Sequence, residues 1–367
     1  EQAREQRRMM LLGYAVYVRP DTDYPVARFR HKSDQKDNAI GYQKAAMIFH
    51  MLRREIGDEA FWAGLRKLVA DHGGSYAAWS DLERVFAEAG RTNLRWFFAQ
   101  WVERAGAPDL KIADAVHRDD SPTIGGFNLR VRLAQDEPLY RLRLRVAVKM
   151  AGGRIHTARL QMESADQTFT LPVPARPLSL QIDPDFETFR RLGREQLPPM
   201  LNLFVTDRER TVVLPTGGTE VERAPYQELA ARLAAEKQGQ GSKTKPATVQ
   251  ATDQDAGASR GSVLVLGGPG VNRGADWAAR GCGSGVSLER DRFTVDGRTY
   301  EGPTMALLLS CRHADRSDHV VTLFYGLTPA AAAKVARLLF FYGWQSYLVF
   351  RDGAVVAVLG GEATQHR

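Results

Sequence analysis

Apolar and polar positions change their rhythm twice along the chain, near residues 106 and 195. Up to residue 106 they recur at helical spacing. A first amphipathic run reaches about Val18, and Pro20, Asp21, Asp23 and Pro25 mark a loop after it. The stretch from Gly41 to Leu52 predicts a buried helix, with Tyr42, Ala46, Phe49 and Leu52 on one side and Ile48 and Ile56 extending it. Asp37 or Asn38 can cap its start, and Gly57 stops its end. The pattern places Tyr42 on the packed face, where a phenol needs a hydrogen-bond partner or a cleft. Further helices are expected from Asp58 to about His72, from Ser75 or Ser80 to Gly90, and from about Thr92 to Ala105. Trp62, Leu65, Leu68 and Val69 supply one apolar stripe, and Trp96, Phe97, Trp101 and Val102 another.

Residues 107–195 switch to a period of two. Leu129, Val131 and Leu133 alternate with Arg130 and Arg132; Leu142, Leu144, Val146 and Val148 alternate with Arg141, Arg143, Arg145 and Lys149. Turns are expected at Gly125-Gly126, Asp136-Glu137-Pro138 and Gly152-Gly153. With Leu160, Phe169 to Val173 and Leu178 to Asp183 as further strands, this is a small antiparallel β-sandwich. Alternation this regular makes the arginine stripe the solvated face of a sheet rather than a site for an anionic partner.

Residues 196–367 mix both rhythms. Short strands are predicted at Leu201 to Val205 and Thr211 to Leu214, then a helix from Pro225 to Lys237. Residues 238–261 hold no large apolar side chain except Val249 and are expected to be a disordered loop. Ser262 to Leu266 reads as a buried strand, followed by a short helix through Trp277 and a hairpin from Val286 to Tyr300 turning at Asp296-Gly297. Strands at Met305 to Leu309 and Val320 to Tyr325, a helix capped by Thr328 and closed by Gly343, and strands at Tyr347 to Phe350 and Val355 to Leu359 imply an α/β layer. The turn Gly267-Gly268-Pro269-Gly270 lacks the Lys-Ser/Thr of a Walker loop and does not match G-x-G-x-x-G. Pro269 also removes a backbone donor, so a nucleotide site is not assigned there.

At 367 residues, two or three domains are expected, and 44% hydrophobic with 25% charged residues is the balance of a globular protein. The net charge of +7 divides evenly, +3 over residues 1–106, +2 over 107–195 and +2 over the rest, so no polybasic arm marks a nucleic-acid partner. No apolar run reaches 18 residues, so no membrane-spanning helix is expected. Cys282 and Cys311 fit neither a zinc knuckle nor a disulfide scaffold; they read as two buried small residues, with a single bridge as the alternative in an exported protein.

Tyr42-x-Lys44-Ala45-Ala46, Met51-Leu52-Arg53, Ile56-Gly57-Asp58 and Phe61-Trp62, then Asp81-Leu82, Phe86, Phe98 and Gln100-Trp101, ending in Gly106-Ala107-Pro108, form an ordered series. Over residues 38–110 it resembles the tail of the catalytic domain in zinc aminopeptidases of the aminopeptidase N (gluzincin) family. One departure is Ala45, where the family usually has Gly. The resemblance implies a multidomain α+β fold: the helical C-terminal half of a thermolysin-like catalytic domain (1–106), a β-sandwich (107–195), and then an α/β domain (196–367). That last part differs from the family's helical solenoid, so the resemblance stops near residue 195. It further implies a peptide substrate, zinc as cofactor, and Tyr42 as the tyrosine that donates a hydrogen bond to the tetrahedral oxyanion.

The family's zinc motif is H-E-x-x-H with a distal Glu. None of His31, His50, His72, His117, His156, His313, His319 and His366 is followed by Glu, and no two lie four residues apart. His313 and His319 flank a polar run that reads as a surface loop rather than a metal site. The chain opens without Met inside an amphipathic run. The expectation is therefore the C-terminal portion of a longer metallopeptidase, inactive without the missing N-terminal zinc-bearing half. The alternative is a non-catalytic peptidase-like scaffold that presents its α/β domain to a partner.

Overall fold

The computed structural model describes residues 1–118, 126–235, 247–283 and 285–359, which divide into a first unit, Glu1–Leu192, and a second that begins at Gly193. The helical and β-rich segments expected as separate domains share the first unit.

In that unit α1 (Gln2–Tyr17) buries Leu11, Leu12, Tyr14 and Val16. The helical turn α2 (Gln35–Asn38) runs into a π-helical segment, Ala39–Lys44, and this continues as α3 (Ala45–Ile56). The cap lies earlier than the pattern indicated: Asp34 accepts the Asp37 N–H at 2.9 Å. Asp37 instead turns inward and accepts the Tyr24 hydroxyl at 2.8 Å. Gly57 stops α3 as expected, at φ +84°, a conformation that costs glycine little. Three more helices follow, α4 (Asp58–His72), α5 (Trp79–Gly90) and α6 (Arg95–Trp101).

The β-rich part of this unit holds β1 (Leu110–Arg118), β2 (Phe127–Gln135), β3 (Leu142–Met150), β4 (Ile155–Met162), β5 (Asp166–Val173) and β6 (Pro177–Ile182). They form two antiparallel three-stranded sheets, ordered β1-β2-β5 and β4-β3-β6. Leu129, Val131 and Leu133 of β2 and Leu142, Leu144, Val146 and Val148 of β3 are buried, so the period of two found the core face. Most of the intervening arginines are paired: Arg143 with Glu55 at 3.1 Å, Arg141 with Glu163 at 3.1 Å, Arg132 with Asp166 at 3.7 Å and Arg145 with Asp185.

The second unit is built on a seven-stranded mixed sheet. Its strands are β7 (Glu209–Leu214), β8 (Ala247–Thr252), β9 (Ser262–Leu266), β13 (Met305–His313), β14 (Arg316–Gly326), β15 (Tyr347–Arg351) and β16 (Ala354–Leu359), in the order β16-β15-β13-β14-β9-β7-β8. A smaller sheet holds β10 (Val286–Leu288), β11 (Arg292–Val295) and β12 (Arg298–Glu301). Asp296 and Gly297 both take positive φ at the turn between the last two, as the sequence indicated. The helices are α7 (Leu201–Val205), α8 (Glu220–Ala235), α9 (Ala275–Ala279) and α10 (Pro329–Ala336). The expected α/β layer is present: β7, β8 and β9 run parallel, and α8 lies between β7 and β8 in the chain.

Several expectations are corrected here. Leu201 to Val205 is a helix rather than a strand, because a five-residue, mostly apolar and mostly buried run is too short to show a period that separates the two. The helix assigned to start at Pro225 starts at Glu220, behind a reciprocal Thr219–Glu222 cap. Pro225 would have bonded the carbonyl of Val221, and Val221 faces water, so the lost bond is tolerated. Of the loop expected at 238–261, residues 247–252 form the edge strand β8 beside β7, held by main-chain hydrogen bonds and not by apolar burial. Residues 238–246, Gly125, the helix end at Lys237 and His366 lie outside the described residues. His313 and His319 lie on the strands β13 and β14 rather than in a surface loop. His313 is buried against Trp277, and His319 pairs with Asp207 at 2.9 Å.

Cys282 and Cys311 are disulfide-bonded, not two free buried residues, with Cα atoms 5.0 Å apart. The backbones approach this closely because Gly281 lies against the Arg312 carbonyl, where a Cβ would come within 1.9 Å. The bridge spans 29 positions, and closing such a loop is worth about 3.6 kcal/mol by chain entropy. Chemical denaturation with and without reductant is expected to differ by that amount. Coincident curves would show that the bridge contributes nothing.

Candidate active site

Tyr42 sits in the π-helical segment ahead of α3. A single-turn π segment inserts an extra residue into the helix and recurs at functional positions. Tyr42 and Ala46, four positions on in α3, both face outward, whereas Leu52 is buried. The buried side of this segment is Ala39, Ile40 and Lys44, continued in α3 by Met47, Ile48, Met51 and Leu52. Tyr42 is 56% exposed, so it is not on the packed face as the periodicity indicated. Its ring meets the Phe29 ring edge-on, at 5.3 Å and 74°. Among the described residues its hydroxyl has no hydrogen-bond partner and is free to donate to a ligand.

Lys44 takes the core position instead and is fully buried. Its ammonium donates to the Gly106 carbonyl at 2.8 Å and lies 6.0 Å from the centre of the Tyr14 ring and 5.6 Å from that of Phe189. The Gly106 N–H donates to Asp23 at 2.8 Å, and the same carboxylate oxygen accepts the Tyr14 hydroxyl. Gly106 takes φ +94°, which explains glycine in Gly106-Ala107-Pro108. Trp101 packs on Tyr140 at 5.2 Å and fixes the helix end before that turn. The Tyr-x-Lys and G-x-P motifs, 62 residues apart in sequence, are thus tied by one buried hydrogen bond. Lys44 carried no role in the sequence reading. The available signal was its place among Ile40, Met47 and Ile48, at core spacing.

Burial pushes the Lys44 ammonium down to about 8; Asp23 opposes that, while Arg104 and Arg191 add to it. Between pH 8 and the ordinary lysine value of 10.5, the unfolded chain holds more protons at this site than the folded one. Stability contributed by Lys44 therefore rises with pH across that window, and the cost of burying its charge is fully present below it. The unfolding free energy of the native protein minus that of Lys44→Met is expected to climb by about 3 kcal/mol from pH 8 to 10.5. A flat difference across denaturation curves would contradict the buried charge.

His50, on α3, is pushed down to about 4 by burial and by Arg7, Arg54 and Arg53, so it is neutral at pH 7. Among the described residues no three His, Cys, Asp or Glu side chains are grouped to hold a metal. The described residues therefore do not offer the donor set that zinc needs.

A groove of about 450 Å³ in the first unit is lined by Arg53, Arg54, Arg143, Arg145, Trp96 and Glu187 among others. Arg53, Arg54, Arg143 and Arg145 are matched by Asp58, Glu187, Glu55 and Asp185, and Arg141 by Glu163, which leaves Arg159 as the one lining arginine without an ion pair among the described residues. In the second unit, the turn at Gly267 is closed on itself. The Asn272 amide donates to the Leu266 carbonyl at 2.8 Å and accepts the Gly274 N–H at 2.8 Å. Gly268 is required by packing, because a Cβ there would come 2.4 Å from the Tyr325 ring.

No protein-family model matches the chain. It is similar to aminopeptidase N of Lactococcus lactis subsp. lactis, 38% identical over 72 residues, or 20% of this chain and 8% of that protein. It is also similar to aminopeptidase N of Haemophilus influenzae, 24% identical over 180 residues, or 41% of this chain and 20% of that protein. A crystal structure of Legionella pneumophila aminopeptidase A in complex with aspartic acid aligns with 56% of this chain and 23% of its own, at 17% identity and a TM-score of 0.35, too low to carry an argument. The chain spans a fifth or less of the length of these curated relatives. No candidate membrane-spanning helix occurs among the described residues. Over part of its length, the chain is aminopeptidase-like in sequence.

Proposed function

We propose that this chain supplies the oxyanion-binding tyrosine of a zinc-dependent aminopeptidase whose metal ligands lie on residues other than these 367. The exposed Tyr42 phenol carries the proposal: its hydroxyl is unengaged, and a helix pinned from below by Lys44 holds it. When an amide carbonyl is attacked, its oxygen gains negative charge and becomes tetrahedral. A donor preset at that oxygen stabilises the transition state more than the substrate, because the charge is present only there. Tyrosine can do this without bringing a charge of its own. Peptides are the substrate class, and zinc, where it acts, supplies the activated water. The 367-residue chain alone is inactive on this account.

The test is turnover of an aminoacyl p-nitroanilide by the longer protein, compared with its Tyr42→Phe variant. A large loss in kcat supports the role of Tyr42, and unchanged turnover removes it.

A further inference from the structure

We infer that Phe29 is the positioning residue for Tyr42, seated by Gly41; the inference rests on the proposed role of Tyr42 and adds the element that aims its hydroxyl. An exposed tyrosine has several rotamers open to it, and only some point the hydroxyl at a given atom. Three observations restrict Tyr42.

The Phe29 ring lies directly on the backbone of Gly41: a Cβ there would come 2.2 Å from Cδ2, 2.3 Å from Cε2 and 2.4 Å from Cγ. Only glycine, immediately before Tyr42, leaves room for that ring. The ring then meets Tyr42 edge-to-face, the arrangement that the aromatic quadrupoles favour. Phe29 is itself held from behind. Its N–H donates to the Val26 carbonyl at 3.0 Å, and the Ala27 N–H donates to the Val102 carbonyl at 3.1 Å, just past α6. The contact is therefore a fixed wall on one side of an otherwise open side chain.

An aromatic edge contact shifts a rotamer population by about threefold to tenfold. In the longer protein Phe29→Leu is expected to lower kcat by about that factor with little change in KM, since the oxyanion forms only in the transition state. Phe29→Tyr keeps the ring and is expected to restore kcat. Gly41→Ala, which expels the ring from its seat, should behave like Phe29→Leu or worse.

A readout independent of activity is 19F NMR of this chain with 3-fluorotyrosine, the Tyr42 signal being assigned by its loss in Tyr42→Phe. The signal is expected to move toward the position of an open tyrosine in Phe29→Leu and to stay shifted in Phe29→Tyr. A Tyr42 signal that ignores Phe29→Leu overturns the inference, whatever the kinetics show. A signal that moves while Tyr42→Phe retains full turnover supports the contact and overturns the catalytic role of Tyr42 instead. A signal that moves with kcat unchanged in Phe29→Leu, while Tyr42→Phe is impaired, overturns the positioning role.

Discussion

Tyr42→Phe in the longer protein is expected to lower kcat about a hundredfold, the scale on which a single oxyanion donor acts. The substitution deletes one oxygen from a half-exposed ring and keeps the edge contact with Phe29. Stability should therefore stay within about 0.5 kcal/mol of the native value, as for surface changes that disturb no buried feature. KM should change little, because the substrate carbonyl carries no full charge before attack. Steady-state kinetics beside a thermal melt separates this from damage to the fold. A variant that melts normally and turns over normally would show that the phenol is a bystander.

Asp23→Ala is expected to destabilise the chain by about 3–5 kcal/mol, because it strips the partner from several groups at once. The Asp23 carboxylate accepts the Tyr14 hydroxyl, the Gly106 N–H at 2.8 Å and the Tyr24 N–H at 2.8 Å. It also offsets the buried Lys44 charge. Its removal leaves Tyr14, which has no exposure, without an acceptor, and it leaves the ammonium against a guanidinium at Arg104 and another at Arg191. Lys44 should then titrate lower still. Asp23→Asn keeps one acceptor oxygen for Tyr14 and Gly106 but loses the charge and turns its NH2 toward the Tyr24 N–H, so it should cost less than the alanine change but not nothing. Urea denaturation of the two variants measures the difference. Equal and small losses would mean that the network below Tyr42 is not cooperative.

The legible parts of the fold were those where local chemistry leaves few options. Gly57 ends α3 at positive φ, Asp296-Gly297 turns β11 into β12, and alternation in β2 and β3 gave the buried face directly. Leu201 to Val205 failed because five mostly buried residues are too few to show a period. Residues 247–252 failed because an edge strand held by its ladder needs no apolar side chains, and the composition is that of a linker.

The site was half legible. Tyr42 and Gly106-Ala107-Pro108 were picked out by the resemblance to aminopeptidases, but their connection was not visible in the sequence. Hydropathy assigns a lysine to the surface, whereas Lys44 is buried and Tyr42 exposed, the reverse of the expected wheel. The buried face runs through Ile40, Lys44, Met47, Ile48, Met51 and Leu52 at ordinary helical spacing, and the expected wheel missed it because it counted the aromatic Tyr42 as core and the lysine as surface. Asp23 was read as loop punctuation because its partners, Tyr14 and Gly106, lie 9 and 83 positions away.

The most direct test of the central claim is zinc content measured together with aminopeptidase turnover, on the 367-residue chain and on the longer protein in parallel. The account predicts bound zinc and turnover in the longer protein and neither in the chain alone. Stoichiometric zinc or turnover in the chain alone would contradict it, and so would a longer protein that binds no zinc and cleaves no peptide.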